Sequence, residues 1–347
     1  MSAIPTLESV QQYYGKVLSS TKDLQTSACC TTEALPAHFR PLLADIHEEV
    51  QNKFYGCGSP IPSELEGCTV LDLGSGSGRD CYLLSRLVGE RGRVIGVDMT
   101  VEQLTVARRH VDWHTARYGY RKPNVEFKQG YIEDLEGAGI ASDSIDVVVS
   151  NCVINLSPDK GRVFSEILRV LRPGGELLFS DVFADRRLPT AFQHDPVLLG
   201  ECLGGALYGE DFRRLLFERG CRDFRIVAEN PLVLGNADIE RKVGMVAFTS
   251  RTVRAFKLDL EDRCEDYGQV AYYQGTIAEA PHGFTLDDHH HFKTGMPHLV
   301  CSNTAAMLAN TRYAKHFKLV GDTSTHYGLF ECAPAASTAA PSSGACC

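Results

Sequence analysis

The 347-residue chain has no surplus of positive charge: 35 Lys and Arg stand against 44 Asp and Glu, a formal net charge of −9. That balance offers nothing to neutralise a phosphate backbone, so nucleic acid is excluded as an expected partner. The opening stretch, MSAIPTLESVQQYYGKV, lacks the basic start and apolar run of a secretory signal. No apolar stretch approaches the ~20 residues that span a bilayer. The expectation is a cytoplasmic protein with no membrane attachment. Internal repeats are absent, and so is any Cys-x-x-Cys pair, although there are 13 cysteines scattered from Cys29 to Cys347. An odd, unpaired set in a reduced compartment argues against a disulfide framework and against a zinc ribbon or finger. Cys68, Cys81, Cys221, Cys264 and Cys301 read as small buried hydrophobes, the usual state of a free thiol. The remaining thiols need another explanation.

What is present is a large stock of apolar residues, 44% of the chain, at a length above that of most single domains. Residues 6–19 and 37–53 carry apolar positions at three- and four-residue spacing and predict amphipathic helices. A polar segment with two cysteines, LQTSACCTTEALP, lies between them. From Cys68 short apolar runs alternate with helical stretches, the pattern of a parallel sheet with crossover helices. The strands expected are 69–74, 93–98, 124–130, 144–151 and 175–182, with helices over 79–89, 100–118 and 159–171. Pro189, Pro196 and the glycines of ECLGGALYG then break the alternation before a helix at 209–219. FRIVAEN and GMVAFTSRTVRAFKL are expected to finish the sheet. The division expected is a helical cap with a thiol loop (1–66), an α/β Rossmann-like core (67–250) with an insertion at 183–208, a small α+β domain (251–332), and an Ala/Ser/Pro-rich tail (333–347) too poor in bulky apolar residues to fold. His289, His290 and His291 read as a solvated turn, since consecutive side chains diverge.

The segment VLDLGSGSGRD places a strand, then Gly74, Gly76 and Gly78, then a helix start, so backbone can approach a ligand at the helix N-terminus. Its G-x-G-x-G spacing differs from the dinucleotide fingerprint, and Asp72 just ahead of the turn would repel a pyrophosphate. A carboxylate there suits an ammonium. Asp98 ends the second strand, where a carboxylate accepts hydrogen bonds from ribose hydroxyls. Together the two suit an adenosyl amino acid. Ile132 and Glu133 of GYIEDL are placed against an adenine ring, and Asn151 closes the fourth strand at the ligand-binding edge of the sheet.

These segments, DLGSGSGRD, VDMT, GYIEDL and SNCVINL, resemble the motifs of class I S-adenosylmethionine methyltransferases, and of the arsenite methyltransferase family in particular. The resemblance is strong over about residues 10–250 and looser over 251–332. It implies a seven-stranded sheet with a reversed final hairpin, and cofactor contacts by Tyr55, Gly74, Gly76, Asp98, Met99, Ile132, Glu133 and Asn151. Two rivals remain at this point: a methyltransferase of the same fold acting on carbon or oxygen of a small molecule, and a non-catalytic metalloid- or redox-sensing thiol protein.

The thiols outside the core set sit where chemistry is accessible. Cys152 follows Asn151 at a strand end, Cys202 lies in GECLGGALY, Cys57 stands between Gly56 and Gly58, and Cys29 and Cys30 fall on the loop between the first two helices. The resemblance matches the family's four functional cysteines to Cys29, Cys57, Cys152 and Cys202. Cys30 departs from the pattern, so either neighbour can fill the first role. Trivalent arsenic is thiophilic and keeps a lone pair, so Cys57, Cys152 and Cys202 are expected to hold it after it arrives as a thiol adduct. Around Cys152 no His or Lys is obviously positioned to act as a general base, and attack by a lone pair needs none. The expected cycle leaves a Cys29–Cys57 disulfide, reopened by thioredoxin or glutathione, in a chain that works as a monomer.

Overall fold

The β-branched runs from Thr69 onward are too short for helices and too apolar for loops, and each becomes a buried strand. The protein, seen here as a computed structural model, is described over residues 39–54, 56 and 58–331. The helix expected over 6–19, Tyr55, Cys29, Cys30, Cys57, Cys346 and Cys347 lie outside these residues.

The chain begins with two short helices, α1 (Arg40–Leu43) and α2 (Glu48–Gln51), where a single helix over 37–53 was expected. The break is tertiary. His47 adopts an extended ψ of 137°, its backbone N–H donates to His114 Nε2 at 3.2 Å, and its ring stacks on His110. There follow β1 (Thr69–Leu73), α3 (Arg79–Val88), β2 (Arg93–Asp98), α4 (Val101–Arg109), α5 (Val111–Tyr118), β3 (Val125–Gln129), β4 (Ile145–Asn151), α6 (Lys160–Val170) and β5 (Leu171–Ala184). The stretch expected as one helix over 100–118 is interrupted at His110, whose imidazole hydrogen-bonds Glu49 at 2.7 Å. Asp159 caps α6 by accepting from Arg162 N at 2.9 Å, and Val163, Phe164, Ile167 and Val170 carry its buried face.

After β5 come α7 (Thr190–Gln193), α8 (Pro196–Gly200), β6 (Leu207–Tyr208), α9 (Gly209–Phe217), β7 (Phe224–Pro231), α10 (Ala237–Val243) and β8 (Phe248–Phe256). The run read as one strand from Gly244 therefore starts four residues later, because Gly244 takes a positive φ of 62° to end a helix that the pattern had not signalled. The main path of the sheet runs β3-β2-β1-β4-β5-β8-β7, with β6 beside β5. Its first five strands are parallel, and β8 is antiparallel to both β5 and β7. This is the α/β Rossmann-like core with the reversed final hairpin that the motifs implied. Strand order reverses at β1 and β4, whose carboxyl ends open the crevice that such sheets use for ligands.

Residues beyond β8 form β9 (Glu265–Asp266), β10 (Gln269–Tyr273), β11 (Gly283–Thr285), β12 (His291–Lys293), β13 (Pro297–Val300), α11 (Ser302–Ala309), β14 (Phe317–Val320) and β15 (Gly328–Leu329). A three-stranded sheet in the order β13-β10-β14 packs an aromatic core of Tyr273, Phe284, Phe292, Tyr313 and Phe317. The fully buried Glu176 of β5 pins this region to the main sheet by pairing with Arg254 at 2.8 Å and Arg312 at 2.5 Å. Burial pushes its carboxyl up, but the two guanidiniums outweigh that and hold it below the ordinary range. The three consecutive histidines bond separate partners, Asp288, Asp287 and Thr285. No described helix is long and apolar enough to cross a membrane.

Candidate active site

Between β1 and α3 the chain must turn within five residues, and glycine allows it. Gly74 sits at φ 70° and Gly78 at φ 89°. A Cβ on Gly74 would lie 2.4 Å from Val153 Cγ2, and one on Gly78 would lie 2.7 Å from the Phe127 ring. The turn is braced by Asp98, which accepts from Gly76 N at 2.8 Å and from Thr100 N at 2.7 Å. Beneath it, buried Asp72 accepts from the Cys81 thiol at 3.1 Å. Burial, then the neighbouring Asp80, pushes the Asp72 carboxyl well above its ordinary range. Burial raises Asp98 too, against the two backbone donors. Sequence reasoning passed over Asp80, although it stands in the same motif. It accepts from Arg79 at 2.8 Å and from Asn151 Nδ2 at 3.1 Å. Asp72 and Asp98 thus converge on a glycine cradle beside Asp80, which Arg79 already neutralises, and a ligand bearing a cationic amino group complements the first two.

Asp72, Gly74, Gly76, Asp98, Met99, Ile132, Glu133 and Asn151, the described residues expected to meet a cofactor, all line one cleft of about 1000 Å³ including its open mouth. Two of them also hold the walls. Asn151 Nδ2 donates to Gly58 O at 2.9 Å while its Oδ1 accepts from Gly58 N at 3.2 Å, and the Glu133 carboxylate accepts from Ser157 Oγ.

Cys152 lies in the same cleft, one residue past β4. Its φ is 57°, and that of Cys202 is 60°, so two of the four described non-glycine residues in the left-handed region are these cysteines. That conformation costs a residue with a Cβ about 1–2 kcal/mol, and it persists where surrounding bonds enforce it. At Cys202 the Asn155 side-chain amide donates to Val182 O at 2.6 Å and Cys202 O at 3.3 Å, and at Cys152 the backbone N–H donates to Ser180 O at 2.8 Å. The Cys202 thiol is fully buried and donates to Cys152 O at 3.2 Å. Cys152 is disulfide-bonded, whereas Cys202 is in no disulfide. The two sulfurs and a carboxylate oxygen of Asp181 lie within 4.8 Å of one another.

Asp181 and Lys160 correct the expectation that no base stands near Cys152. Asp181 accepts from Asn155 N at 3.0 Å and Val182 N at 2.9 Å. Burial pushes its carboxyl up to about 7, against those donors and Lys160. The Lys160 ammonium donates to Asn155 O at 3.2 Å and Ser157 O at 3.0 Å, and burial lowers its pKa. One signal was available: Asp181 interrupts the apolar run GELLFSDV. Gly56 and Gly58, neighbours of Cys57, are packed so closely that a Cβ would lie 2.7 Å from Asn151 Nδ2 and 2.4 Å from Ser180 Oγ.

A methyltransferase domain model matches residues 64–220, and the arsenite methyltransferase C-terminal domain model matches residues 266–347. The second match is firmer than the loose likeness read from the sequence there. An arsenite methyltransferase of Aquipseudomonas alcaligenes is 55% identical over 93% of this chain and 93% of its own. That of Homo sapiens is 47% identical over 89% of this chain and 82% of its own. Among solved structures, an arsenic (III) S-adenosylmethionine methyltransferase from Chlamydomonas reinhardtii is similar at a TM-score of 0.83 and 52% identity, covering 86% of this chain and 100% of that one.

Proposed function

The chain belongs to the arsenite methyltransferase family, and from that premise we propose that it methylates trivalent arsenic held by Cys57, Cys152 and Cys202. The observation that carries the reading is the pair of left-handed cysteines, Cys152 and Cys202, set with Asp181 at the carboxyl edge of the sheet beside the glycine cradle. S-adenosylmethionine, when bound, supplies an electrophilic methyl group. The described residues fit it: Asp72 would take its ammonium, Asp98 its ribose hydroxyls, and Ile132 and Glu133 would wall its adenine.

The protein's own part is placement. Arsenite arrives as a thiol adduct and exchanges its small thiols for protein sulfurs, with each As–S bond formed as another breaks and no change in oxidation state. Fixing the arsenic lone pair toward the methyl-donor end of the cleft converts a bimolecular encounter into an oriented one. Asp181 and Lys160 make up the buried polar surroundings of Cys202. Cys152 must be a thiolate to ligate, so its disulfide has to be opened first by thiol exchange. Methylation would place the arsenic lone pair in the new As–C bond and leave arsenic formally pentavalent, and the two electrons that return it to the trivalent state come from the Cys29 and Cys57 thiols as they form a disulfide. Thioredoxin or glutathione resets the thiols, which suits a monomer working in the reducing cytoplasm. The test is incubation of purified full-length protein with S-adenosylmethionine, glutathione or thioredoxin, and arsenite, followed by separation of arsenic species. Methylated arsenicals are expected. Their absence, with cofactor binding intact, overturns the reading.

A further inference from the structure

The seam between the N-terminal helices and the α/β core brings two imidazoles and a carboxylate together, and none of the three lines the cleft. His47 caps α2, Glu49 lies in its first turn, and His110 stands at the break between α4 and α5. The two imidazoles stack with centroids 3.8 Å apart and 24° between their planes. Glu49 Oε2 lies 2.7 Å from His110 Nε2, and one ligand-capable atom from each of the three residues falls within 4.8 Å of the other two. The cluster is held from outside. The second Glu49 oxygen accepts from Arg109 at 2.7 Å. His114 Nδ1 donates to His110 O at 2.8 Å, so its Nε2 is the acceptor for His47 N at 3.2 Å.

We propose that His47, Glu49 and His110 are the ligands of a divalent borderline metal such as zinc, which fastens the N-terminal helices to the core. An ion pair explains Glu49 against Arg109 and His110, and a cap explains one nitrogen of His47, but neither requires the two rings face to face. Two imidazoles and a carboxylate are the donors of a three-ligand zinc site, which leaves its fourth position to water. Arg109 and His114 stand where such a site places the outer partners that orient its ligands. His110 is buried while His47 and Glu49 are half-buried, so the ion enters from the side of α2. From Glu49 the chain runs to Lys53 and Phe54 in the wall of the cleft. Ser77 Oγ of the glycine turn donates to Val50 O at 3.0 Å and Lys53 O at 3.2 Å. A metal at the seam therefore stiffens one wall of the cofactor cleft without touching the cofactor.

Binding exchanges metal-bound waters for the three protein atoms, with no change in oxidation state. The His47 ring gives up the 3.2 Å bond it accepts from Glu49 N, because Nδ1 is then either metal-bound or protonated. His110 Nε2 passes its proton to Nδ1 of the same ring or to solvent. Protons compete for the same three atoms, so uptake weakens as pH falls.

Cobalt(II) is the probe, because its visible absorption reports nitrogen and oxygen ligands in a four- or five-coordinate site and its near-ultraviolet charge transfer reports sulfur. Full-length protein is reduced and freed of metal by chelator, its accessible thiols are blocked with iodoacetamide, and cobalt is titrated with and without excess zinc. The expected result is one equivalent of cobalt that shows visible bands without sulfur charge transfer and is displaced by zinc. Loss of an outer partner alone costs about 10- to 100-fold in metal affinity, so Glu49→Gln and His110→Gln are each expected to weaken this equivalent by at least about 10-fold. Methylation of arsenite by unblocked Glu49→Gln in metal-free buffer is expected to match that of the parent. Should His110→Gln loosen the helices, as a change in circular dichroism would show, Glu49→Gln and His47→Gln decide. No visible bands at excess cobalt, bands that come only with sulfur charge transfer, or equal affinity in Glu49→Gln and the parent protein overturns the proposal.

Discussion

The two ends of the cleft carry the same backbone strain on different residues. At the cofactor end the left-handed positions are Gly74, Gly76 and Gly78; at the thiol end they are Cys152 and Cys202. Glycine takes that conformation without steric cost, so the first set reports only that backbone must pass close to something. Cysteine does not, and its presence there means that the side chain is needed at that point, at the expense of local stability. The polar groups divide in the same way. Asp72 and Asp98 face the glycine end beside the Arg79-paired Asp80 and suit a cation, while Asp181 and Lys160 are spent on backbone partners around the sulfurs. One end is built to receive a bound molecule, and the other to hold a reacting atom.

That contrast can be broken by mutation. The largest effect is expected of Cys202→Ser: loss of arsenite methylation by about 100-fold or more, the scale on which a misplaced reactant costs rate, with S-adenosylmethionine affinity unchanged. Near-normal turnover on arsenite would remove Cys202 from the substrate site. A finer split within the thiol end follows from coordination number, since arsenite has three exchangeable positions and methylarsenite two. Cys57→Ser and the Cys29/Cys30 double serine variant are expected to lose methylation of arsenite while keeping much of it on methylarsenite. Comparing rates on the two substrates checks this, and equal loss on both would remove the step-specific role of Cys57.

Asp98→Ala should act at the other end. A hydrogen bond to a charged group is worth about 1.5–3 kcal/mol, so cofactor binding by titration calorimetry should weaken by about 10- to 100-fold. Arsenite binding, followed separately, should persist. If both ligands weaken together, the two ends are not independent. Gly74→Ala is expected to couple them. Its new Cβ meets Val153, the neighbour of Cys152, and the residue also takes a positive φ. A loss of about 1–3 kcal/mol of stability is expected, with a fall in methylation exceeding the fall in cofactor affinity.

The cofactor end was legible because its constraints are local. A strand, three glycines and an acidic residue at the next strand end lie within 30 residues and have one economical geometry. β2 was read to the residue for the same reason. The thiol end was legible only as four loop-borne cysteines, and their chemistry came from family resemblance. Asp181 and Lys160 reach Cys202 through folding of β5, α6 and the 183–208 insertion, contacts that no spacing encodes. The same holds for the helix break at His47, which depends on His114 sixty-seven residues away. Gly244 alone had offered a usable stop signal that the reading ran through.

The smallest expected effect isolates the strain itself. Replacing Cys202 by Ala or Gly removes the sulfur in both cases, so the difference between the two variants contains a buried methyl and the backbone preference. The methyl favours Ala by about 0.8 kcal/mol, and ordinary backbone entropy favours Ala further. A left-handed φ of 60° works the other way, by about 1–2 kcal/mol. Cys221 supplies the control: it is buried and a free thiol, and it is not among the residues with positive φ. The same pair of variants there carries the methyl and entropy contributions without the strain. Subtracting the Ala-to-Gly gap at Cys221 from that at Cys202 should therefore leave about 1–2 kcal/mol in favour of glycine. Urea unfolding under reductant, with equal slopes for all four variants, measures it. An identical gap at both positions would mean that Cys202 is not held in a strained state, and the contrast between the two ends of the cleft would lose its energetic basis.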